Sequence, residues 1–323
     1  MSILVGTVKE LWRYPVKSMV GQTTGMATIT QSGMLGDRGW IVRDDTINEN
    51  VVVRTLPKLL LFAAEYLQEP VGNGIPNVCI TFPDGTQIDS SAPDINNKLS
   101  DALGRSVSLW PLQSARHWRH YRLSGVMGGR EMKRMFASKE LPDFSSISWK
   151  LLTELMIFST PLGRYHDVYP LHVVTTGALS KMKALEPGAD FGPHRFRPNL
   201  VVESNEGVVD FDDFSWVGGT LSIGSNVVIQ CESRTVRCSM PAQPQFNCTK
   251  DSSVLRSINA HTQRHFGINA SVLKQGQIKV GDEVRWEPGK DSAVSKKLDA
   301  VSGYLKNKVS HSLLNAIDLI VKK

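Results

Sequence analysis

The chain of 323 residues contains only four cysteines, Cys79, Cys231, Cys238 and Cys248. Their spacing matches neither the C-x-x-C pairs of zinc sites nor the clustered cysteines of ferredoxins, which excludes an iron–sulfur module within the chain. So few cysteines in so long a chain also argue against a disulfide framework and for a reducing compartment. The sequence therefore predicts thiols that are not cross-linked.

Long apolar runs are also missing, and none approaches the roughly 18 residues that a membrane-spanning helix needs. The start of the chain, MSILVGTVKELWRYPVKS, has neither the pattern of a secretory signal nor that of a transit peptide. With 41% hydrophobic and 21% charged residues, the composition is that of an ordinary soluble protein. We expect a cytosolic location.

The chain has little excess charge of one sign, with a formal net charge of +6. Residues 290–323 hold seven Lys and three Asp, so four of the six excess positive charges lie in this last segment. The remainder has no basic stripe interleaved with aromatics and no zinc-finger or helix-turn-helix signature. The sequence therefore predicts no nucleic-acid partner.

Short β-like runs separated by turn residues dominate the chain. They occur in the first hundred residues, as in MATITQSGMLGDRGWIVRD, and return after an irregular basic stretch, as in GTLSIGSNVVIQCESRTV. We therefore predict a mixed, mainly β fold with peripheral helices. An N-terminal β-barrel-like domain spans 1–113, a connector that contributes to the site entrance spans 114–169, and a second β-barrel domain spans 170–289.

The end of the chain, 290–323, is predicted to be an amphipathic helix with a lysine-rich polar face. Its apolar residues recur with helical period, at positions 294, 298, 301, 305, 309, 313, 317 and 320. One interpretation is that this apolar stripe docks on the protein's own surface. The other is reversible contact with an acidic membrane surface or a partner helix.

Four short stretches place charged or reactive side chains at tight turns. They are YPVKS with Lys17 and Ser18, LGDRGW with Arg38, HRFRPN with Arg195, Arg197 and Asn199, and TVRC with Cys238. Arg and Lys beside backbone amides in turns offer several donors to a phosphate, so together the stretches indicate an anion-bearing cofactor. Any one arginine alone is more often a surface ion pair, and a single cysteine more often packs than reacts.

These stretches are part of a longer series of motifs that covers most of the chain. In order they are YPVKSM, GDRGWIV, RTLPKLLL, DVYPLHVVTTGAL, RFRPNLVVE, RC followed by DSSVLR, and GQIKVGD. The series resembles the MOSC family preceded by the MOSC N-terminal β-barrel domain. That family includes amidoxime-reducing components, which carry a molybdopterin cofactor and reduce N-hydroxylated compounds.

The resemblance implies roles for individual residues. Cys238 matches the family cysteine whose thiolate ligates molybdenum, which makes it the predicted metal ligand and catalytic residue. The predicted cofactor-binding residues are Lys17, Ser18, Arg38, Thr175, Arg197 and Asn199. The implied cofactor is molybdenum–molybdopterin (Moco), and pyridoxal phosphate binding is not expected.

The implied function is a molybdenum-cofactor oxidoreductase that removes an oxygen atom from an N-hydroxylated or N-oxide small molecule. Because the chain has no iron–sulfur, flavin or haem signature, electrons are expected from a separate electron-donor protein. One alternative is a sulfur carrier, with a persulfide on Cys238, or a protein that handles the molybdenum cofactor. Another is a non-catalytic binding module that uses the basic tail.

Three neighbouring groups bear on this chemistry. Arg237 is expected to lower the pKa of the Cys238 thiol, provided that a bend near Pro241 turns both side chains the same way. His166 and Asp167 are candidates for the pocket mouth, where His166 would supply a proton as oxygen leaves as water. A loop histidine without this role is the alternative.

Overall fold

The computed structural model describes residues 2–53, 55–125, 128–136, 139–141, 143–145, 147–289 and 293–320. The strands are β1 Ile3–Arg13, β2 Gln22–Thr24, β3 Met26–Thr30, β4 Gly33–Met34, β5 Trp40–Asp44, β6 Glu49–Asn50, β7 Ala63–Tyr66, β8 Val78–Thr81, β9 Gln87–Asp89, β10 Val107–Pro111, β11 Leu171–Thr175, β12 Leu200–Ser204, β13 Thr220–Ile223, β14 Val227–Val236, β15 His265–Lys274, β16 Gly276–Lys279 and β17 Glu283–Glu287. The α-helices are α1 Ile95–Leu103, α2 Trp118–Tyr121, α3 Gly129–Met135, α4 Trp149–Ile157, α5 Thr176–Leu185, α6 Ser252–Thr262 and α7 Ala293–Ile320. Short 3-10 turns lie at Pro57–Leu61, Pro193–Phe196, Asp212–Trp216 and Met240–Ala242.

Seven strands form a closed barrel in the order β12, β11, β15, β14, β13, β17 and β1, and β1 returns to pair with β12. The inward-facing side chains are the aliphatic residues that alternate along these strands, and they pack into one core. The space left between them is only about 10 Å³. The barrel interior is therefore solid, and a site must lie at its rim.

The first strand belongs to this barrel although it lies far from the other barrel strands in sequence. β1 pairs antiparallel with β12 and β17 and closes the ring. Gly6 makes the closure possible, because a Cβ there would lie 2.0 Å from the Glu203 carbonyl oxygen. The register of β1 also shifts between Leu4 and Gly6. The first strand in the sequence therefore belongs to the closed barrel, whose other strands all follow the N-terminal part.

The N-terminal part is built from small antiparallel sheets around its own apolar core. One sheet has the order β10, β5, β6, and another the order β7, β8, β9. A third joins β3 and β4 to β16 from near the end of the barrel domain. The prediction of a mixed, mainly β fold is confirmed, whereas the boundaries at 113/114, 169/170 and 289/290 stay predictions.

The connector and the C-terminal helix form a helical cover, which we define as α3, α4 and α7. Side chains from these helices and the loop between α3 and α4 share one apolar cluster, which includes Met132, Leu152, Met156 and Leu314. Arg130 at the start of α3 donates from its backbone amide to Asp318 Oδ2 at 2.9 Å. The cover therefore ties the end of the chain to its middle.

The C-terminal helix is present as predicted, but much of the predicted stripe does not pack on the protein. Leu305, Val309 and Leu313 are 54%, 53% and 49% exposed, whereas Leu314 is 1% exposed. Polar contacts set the orientation, since Lys306 Nζ donates to the carbonyl oxygens of Ser145 and Ile147 at 3.0 and 2.8 Å. The interpretation that the whole stripe docks on the protein is wrong at these three positions. None of the helices in the described ranges combines the length and apolarity that a membrane crossing requires.

Candidate active site

Cys238 lies just beyond β14, where the strand leaves the barrel. A register shift between Arg234 and Val236 bends the strand end, and Pro241 lies within the 3-10 turn Met240–Ala242 that follows. The thiol is partly exposed. The expected bend is therefore present, and it places the sulfur at the rim of the solid barrel.

The surroundings of Cys238 do not by themselves favour the thiolate. Burial raises the pKa of the Cys238 thiol, and the backbone of Met240 and the charge of Arg237 lower it by a smaller amount. Arg237 points inward, with Nη2 donating to the Phe196 carbonyl oxygen at 2.9 Å. Arg237 therefore lowers the pKa of this thiol as expected, but burial outweighs the effect, so Arg237 alone does not keep the thiol deprotonated. A cation bound at the sulfur would be needed to keep the thiol deprotonated.

A buried carboxylate that the sequence did not single out organises the neighbouring site floor, which we define as Tyr14, Asp37, Arg38, Arg197 and Asn199. Asp37 Oδ1 accepts from the Tyr14 amide at 2.9 Å, and Oδ2 accepts from Asn199 Nδ2 at 2.9 Å and from Arg38. Although burial alone would raise it, the pKa of Asp37 is lowered well below its usual range by Arg38 and His166. Asp37 is therefore ionised, and it fixes Arg38.

Two guanidinium groups lie close to the Tyr14 ring. The Cζ atom of Arg197 is 4.1 Å from the centroid of the Tyr14 ring, and that of Arg38 is 4.7 Å from it. Burial and the charge of Arg38 lower the pKa of Arg197 to about 10. Two cations thus stand close together over one ring, and an anion bound between them would relieve their repulsion.

Three of the predicted cofactor-binding residues have left-handed backbone. Ser18, Arg38 and Arg197 have φ values of 72°, 51° and 54°. Non-glycine residues adopt this region at an energetic cost, and such residues concentrate at functional sites. The backbone at all three positions is therefore held against its local preference, which supports a functional role for these turns.

A second carboxylate joins Lys17 to the cluster. The Lys17 ammonium is buried, and it donates to Asp167 Oδ1 and, at 2.8 Å, to the Tyr165 carbonyl oxygen. Asp167 also acts electrostatically on Arg38, Arg197 and Cys238. The side chain of Asp167 is 84% exposed, so this carboxylate lies at the solvent-exposed edge of the cation cluster.

His166 faces the site floor instead of the pocket mouth. Its Nε2 lies 3.4 Å from Asp37 Oδ2, and the residue is buried. Burial lowers the pKa of His166, and Asp37 opposes this shift. Among the described residues, neither ring nitrogen has a hydrogen-bond partner of good geometry. A polar group with unsatisfied donors and acceptors beside the cation cluster is suited to a ligand.

Asn199 and Thr175 have structural partners that account for their side chains. Asn199 Nδ2 donates to Asp37 and to the Trp12 carbonyl oxygen, and its Oδ1 accepts from the His172 amide. Thr175 Oγ1 accepts from the Ala178 amide at 3.1 Å and caps α5. A cofactor contact by either residue stays a prediction, because the observed bonds explain their burial.

The charges around Cys238 are unbalanced. The cations Lys17, Arg38, Arg197 and Arg237 face the carboxylates of Asp37 and Asp167, which leaves an excess of two positive charges. A phosphate monoester carries nearly two negative charges at neutral pH. The donor set therefore fits a phosphate-bearing cofactor whose soft metal is ligated by the neighbouring thiolate.

A cavity of about 450 Å³ lies between the N-terminal part, α3 and the segment that follows Cys238. Its lining residues are Val53, Thr55, Pro57, Glu131, Arg134, Ser239 and Gln243. Ser239 directly follows Cys238, and Glu131 and Arg134 come from the predicted connector. The volume suits a small molecule, and the cavity wall includes the carboxylate of Glu131 and the guanidinium of Arg134.

Comparison with known proteins agrees with this architecture. The MOSC N-terminal beta barrel domain model matches residues 5–116, and the MOSC domain model matches residues 163–285. The chain therefore carries a MOSC N-terminal beta barrel domain followed by a MOSC domain.

Curated relatives extend the comparison to whole proteins. Mitochondrial amidoxime reducing component 2 of Homo sapiens is 28% identical over 315 residues, covering 87% of this chain and 83% of that protein. The Bos taurus protein of the same name is 26% identical with the same coverage. The crystal structure of YuaD from Bacillus subtilis has a TM-score of 0.42 at 12% identity, covering 88% of this chain and 98% of that one. The relatives make an oxidoreductase role the one that the comparisons favour.

Proposed function

We propose that this protein is a molybdenum-cofactor oxidoreductase that removes an oxygen atom from an N-hydroxylated or N-oxide small molecule. The observation that carries the proposal is the excess of two positive charges beside the rim cysteine Cys238. The names of the curated relatives give the substrate class.

Lys17, Arg38 and Arg197 would hold the cofactor phosphate. Arg38 and Arg197 both lie close to the Tyr14 ring, and their guanidinium planes offer several N–H donors to one anion. Asp37 fixes Arg38, so this donor is already positioned before an anion binds. Ser18 would contribute through its turn, whose left-handed backbone turns amides toward the same space.

Cys238 would ligate the molybdenum through its thiolate. A soft thiolate suits a soft, redox-active metal, and coordination removes the proton that burial otherwise retains. The cofactor, when bound, would supply the two-electron chemistry that removal of the substrate oxygen requires. The protein would supply the shaped cavity lined by Ser239, Glu131 and Arg134.

The proton needed when oxygen leaves as water would come from solvent at the exposed edge of the cation cluster. Although burial alone would raise it, the pKa of Asp167 is lowered to about 2 by Lys17, so Asp167 would stay ionised and would orient a proton-donating water beside the site. His166 is buried and contacts Asp37 instead of solvent. Asp167 is thus the better candidate for this role.

The proposal includes an external electron-donor protein and a cytosolic location. The described part of the chain holds four free thiols, as a reducing compartment requires. The exposed stripe Tyr304, Leu305, Val309 and Leu313, on a segment rich in lysine, would contact an acidic membrane surface.

The test compares purified wild-type protein with Cys238→Ala, both made in a host that synthesises the molybdenum cofactor. We expect about one molybdenum and one pterin per wild-type chain, loss of molybdenum in Cys238→Ala, and reduction of an N-hydroxylated test compound with a chemical electron donor by the wild type only. Cys79→Ala is the matched control, because Cys79 lies on β8 in the N-terminal part.

Two results would contradict the proposal. One is a wild-type protein free of molybdenum that carries labile sulfur on Cys238, which would favour a persulfide carrier. The other is a Cys238→Ala variant that keeps both molybdenum and activity. Arg197→Gln should keep the fold but lower pterin content, which separates phosphate binding from metal ligation.

A further inference from the structure

A second group of potential metal ligands lies away from Cys238, on the outer side of the loops that carry the active site. It consists of Asp190, His194 and Cys248, whose ligand atoms all lie within 4.8 Å of one another. The three come from two pieces of chain, namely the stretch from the loop after α5 into the 3-10 turn at Pro193–Phe196, and the loop before α6. We propose that this group is a binding site for a borderline divalent cation of the Zn²⁺ type.

The two softer ligands converge on the carboxylate. Cys248 Sγ lies 3.4 Å and His194 Nε2 lies 3.6 Å from the same Asp190 oxygen, Oδ2. One sulfur, one imidazole nitrogen and one carboxylate oxygen are the ligand types that zinc takes in proteins. Since three protein ligands leave a tetrahedral ion with one free position, a water molecule completes the coordination.

The group is accessible to an incoming ion. The side chains of Asp190 and His194 are 46% and 34% exposed, and Cys248 is partly exposed. A cation therefore reaches the site without unfolding, and the fourth position opens toward solvent. This differs from the solid barrel core, where no comparable space exists.

The backbone around the group is shaped to hold these side chains. A Cβ on Gly192 would lie 2.3 Å from His194 Cε1, so the imidazole packs in the space that a side chain at position 192 would take. The Gly192 amide donates to Asp190 Oδ1 at 2.9 Å and fixes the other carboxylate oxygen. Cys248 is held by mutual backbone hydrogen bonds with Gln245, at 2.8 and 2.9 Å.

Arg195 supplies an outer contact that orients a metal-binding carboxylate. Its Nε donates to Asp190 Oδ2 at 2.9 Å, and its other nitrogens donate to the carbonyl oxygens of Pro241 and Thr249. Such partners are typical around metal ligands. A carboxylate oxygen has two lone pairs, so Asp190 serves both Arg195 and the ion. On binding, the Cys248 thiol loses its proton to solvent and the metal–sulfur bond forms.

The position of the group suggests what the ion would do. The turn that carries His194 leads directly to Arg197, and Arg195 bonds to Pro241, three residues after Cys238. An ion bound here would clip the loop before α6 to the turn before β12. The site floor and the cysteine loop would then be fixed relative to each other from outside.

The experiment is a Co²⁺ titration of the full chain, stripped first with a chelator and then followed by Zn²⁺ competition. We expect one Co²⁺ per chain with a thiolate-to-cobalt absorption band and intense tetrahedral d–d bands, displaced by Zn²⁺. Cys248→Ser should lose the band, and His194→Ala should weaken binding by at least about 100-fold. Cys238→Ala and Cys79→Ala are the controls and should bind like the wild type.

Three outcomes would overturn the inference. They are no thiolate-to-cobalt band in the wild type, a band that persists in Cys248→Ser, and a band that disappears in Cys238→Ala because the ion occupies the active-site cysteine. The wild-type titration decides the first outcome without any variant. Circular dichroism of each variant shows that it is folded, so a loss of binding reports on the ligand.

Discussion

In the site floor, polar side chains are fixed by hydrogen bonds to one buried carboxylate, whereas in the helical cover apolar side chains from three helices and a loop are fixed by packing. Asp37 accepts from Tyr14, Arg38 and Asn199 within the floor. Leu314 of the cover packs in a cluster with Met132 and Leu152. Hydrogen bonds demand one geometry, and packing tolerates adjustment. The rigid side therefore holds the predicted cofactor site, and the adaptable side walls the cavity.

The largest effect is expected from Asp37→Ala. Removing the carboxylate leaves Arg38 buried without its partner and leaves the Tyr14 and Asn199 donors unpaired, so the free energy of unfolding should fall by about 3–5 kcal/mol. Urea unfolding followed by circular dichroism measures the change. Glu206→Ala, at an exposed turn, is the control and should stay within about 0.5 kcal/mol. A small effect of Asp37→Ala would mean that the floor is not organised by this carboxylate.

Leu314→Ala should cause the next largest loss of stability, and it tests the packing of the helical cover. Truncating a buried leucine costs about 2–5 kcal/mol, depending on how far the cavity collapses. Hydrogen exchange of the α7 amides would report the loss as faster local opening. Leu313→Ala, one residue earlier on the exposed face, should change exchange little. Equal effects at the two positions would show that α7 docks through a different face.

Asp213 extends the comparison to a buried carboxylate without partners. Both of its oxygens lack a hydrogen-bond partner among the described residues, and burial raises its pKa from 3.8 to about 7. The folded state therefore holds the proton more tightly than the unfolded state. The stability that this group contributes is complete below pH 4 and is lost as the pH rises through about 7.

The variant Asp213→Asn removes this titration. At pH 8 it should be more stable than the wild type by about 1–3 kcal/mol, because no ionised carboxylate is then buried without a partner. Near pH 4 the two proteins should have nearly equal stability. Thermal unfolding between pH 4 and pH 8 measures this. A constant difference across the range would show that Asp213 does not titrate there.

The sequence predicted the classes of structure better than their assembly. Alternation of apolar residues predicted the strands, and helical period predicted α7. However, period alone could not show that Lys306 and its carbonyl partners turn Leu305, Val309 and Leu313 to solvent. Nor could local pattern show that β1 closes the distant barrel, since strand pairing is set by contacts far apart in sequence.

The candidate site shows the same division. Lys17, Ser18, Arg38, Arg197 and Cys238 were found because their motifs mark turns and the family resemblance orders them. Asp37 and Tyr14 were missed although both lie within or beside the quoted motifs. An acidic residue directly before an arginine in a tight turn was the available signal for Asp37. The group at Asp190, His194 and Cys248 gave none, because Cys248 joins the Asp190 and His194 pair only after folding.

The smallest expected change in stability belongs to the double variant Leu305→Ser, Leu313→Ser, and it separates the exposed face of the cover from its packed face. Each residue is about half exposed, so the free energy of unfolding should change by no more than about 0.5 kcal/mol per site. Burying each leucine in a membrane surface should contribute about 1.5–3 kcal/mol, so binding to vesicles should fall by more than tenfold.

Sedimentation with vesicles containing phosphatidylserine, beside vesicles of phosphatidylcholine alone, makes the measurement. Residues 290–323 carry seven lysines and three aspartates, so the wild type should bind the acidic vesicles more tightly than the neutral ones. High salt screens this attraction and should release the protein from the acidic vesicles. Equal binding to both vesicle types would contradict an electrostatic contribution. Unchanged binding by the double variant would contradict a membrane role for the stripe. If light scattering shows instead that the double variant dissociates an oligomer, the exposed leucines join copies of this chain, and the cover is a protein interface on both of its faces.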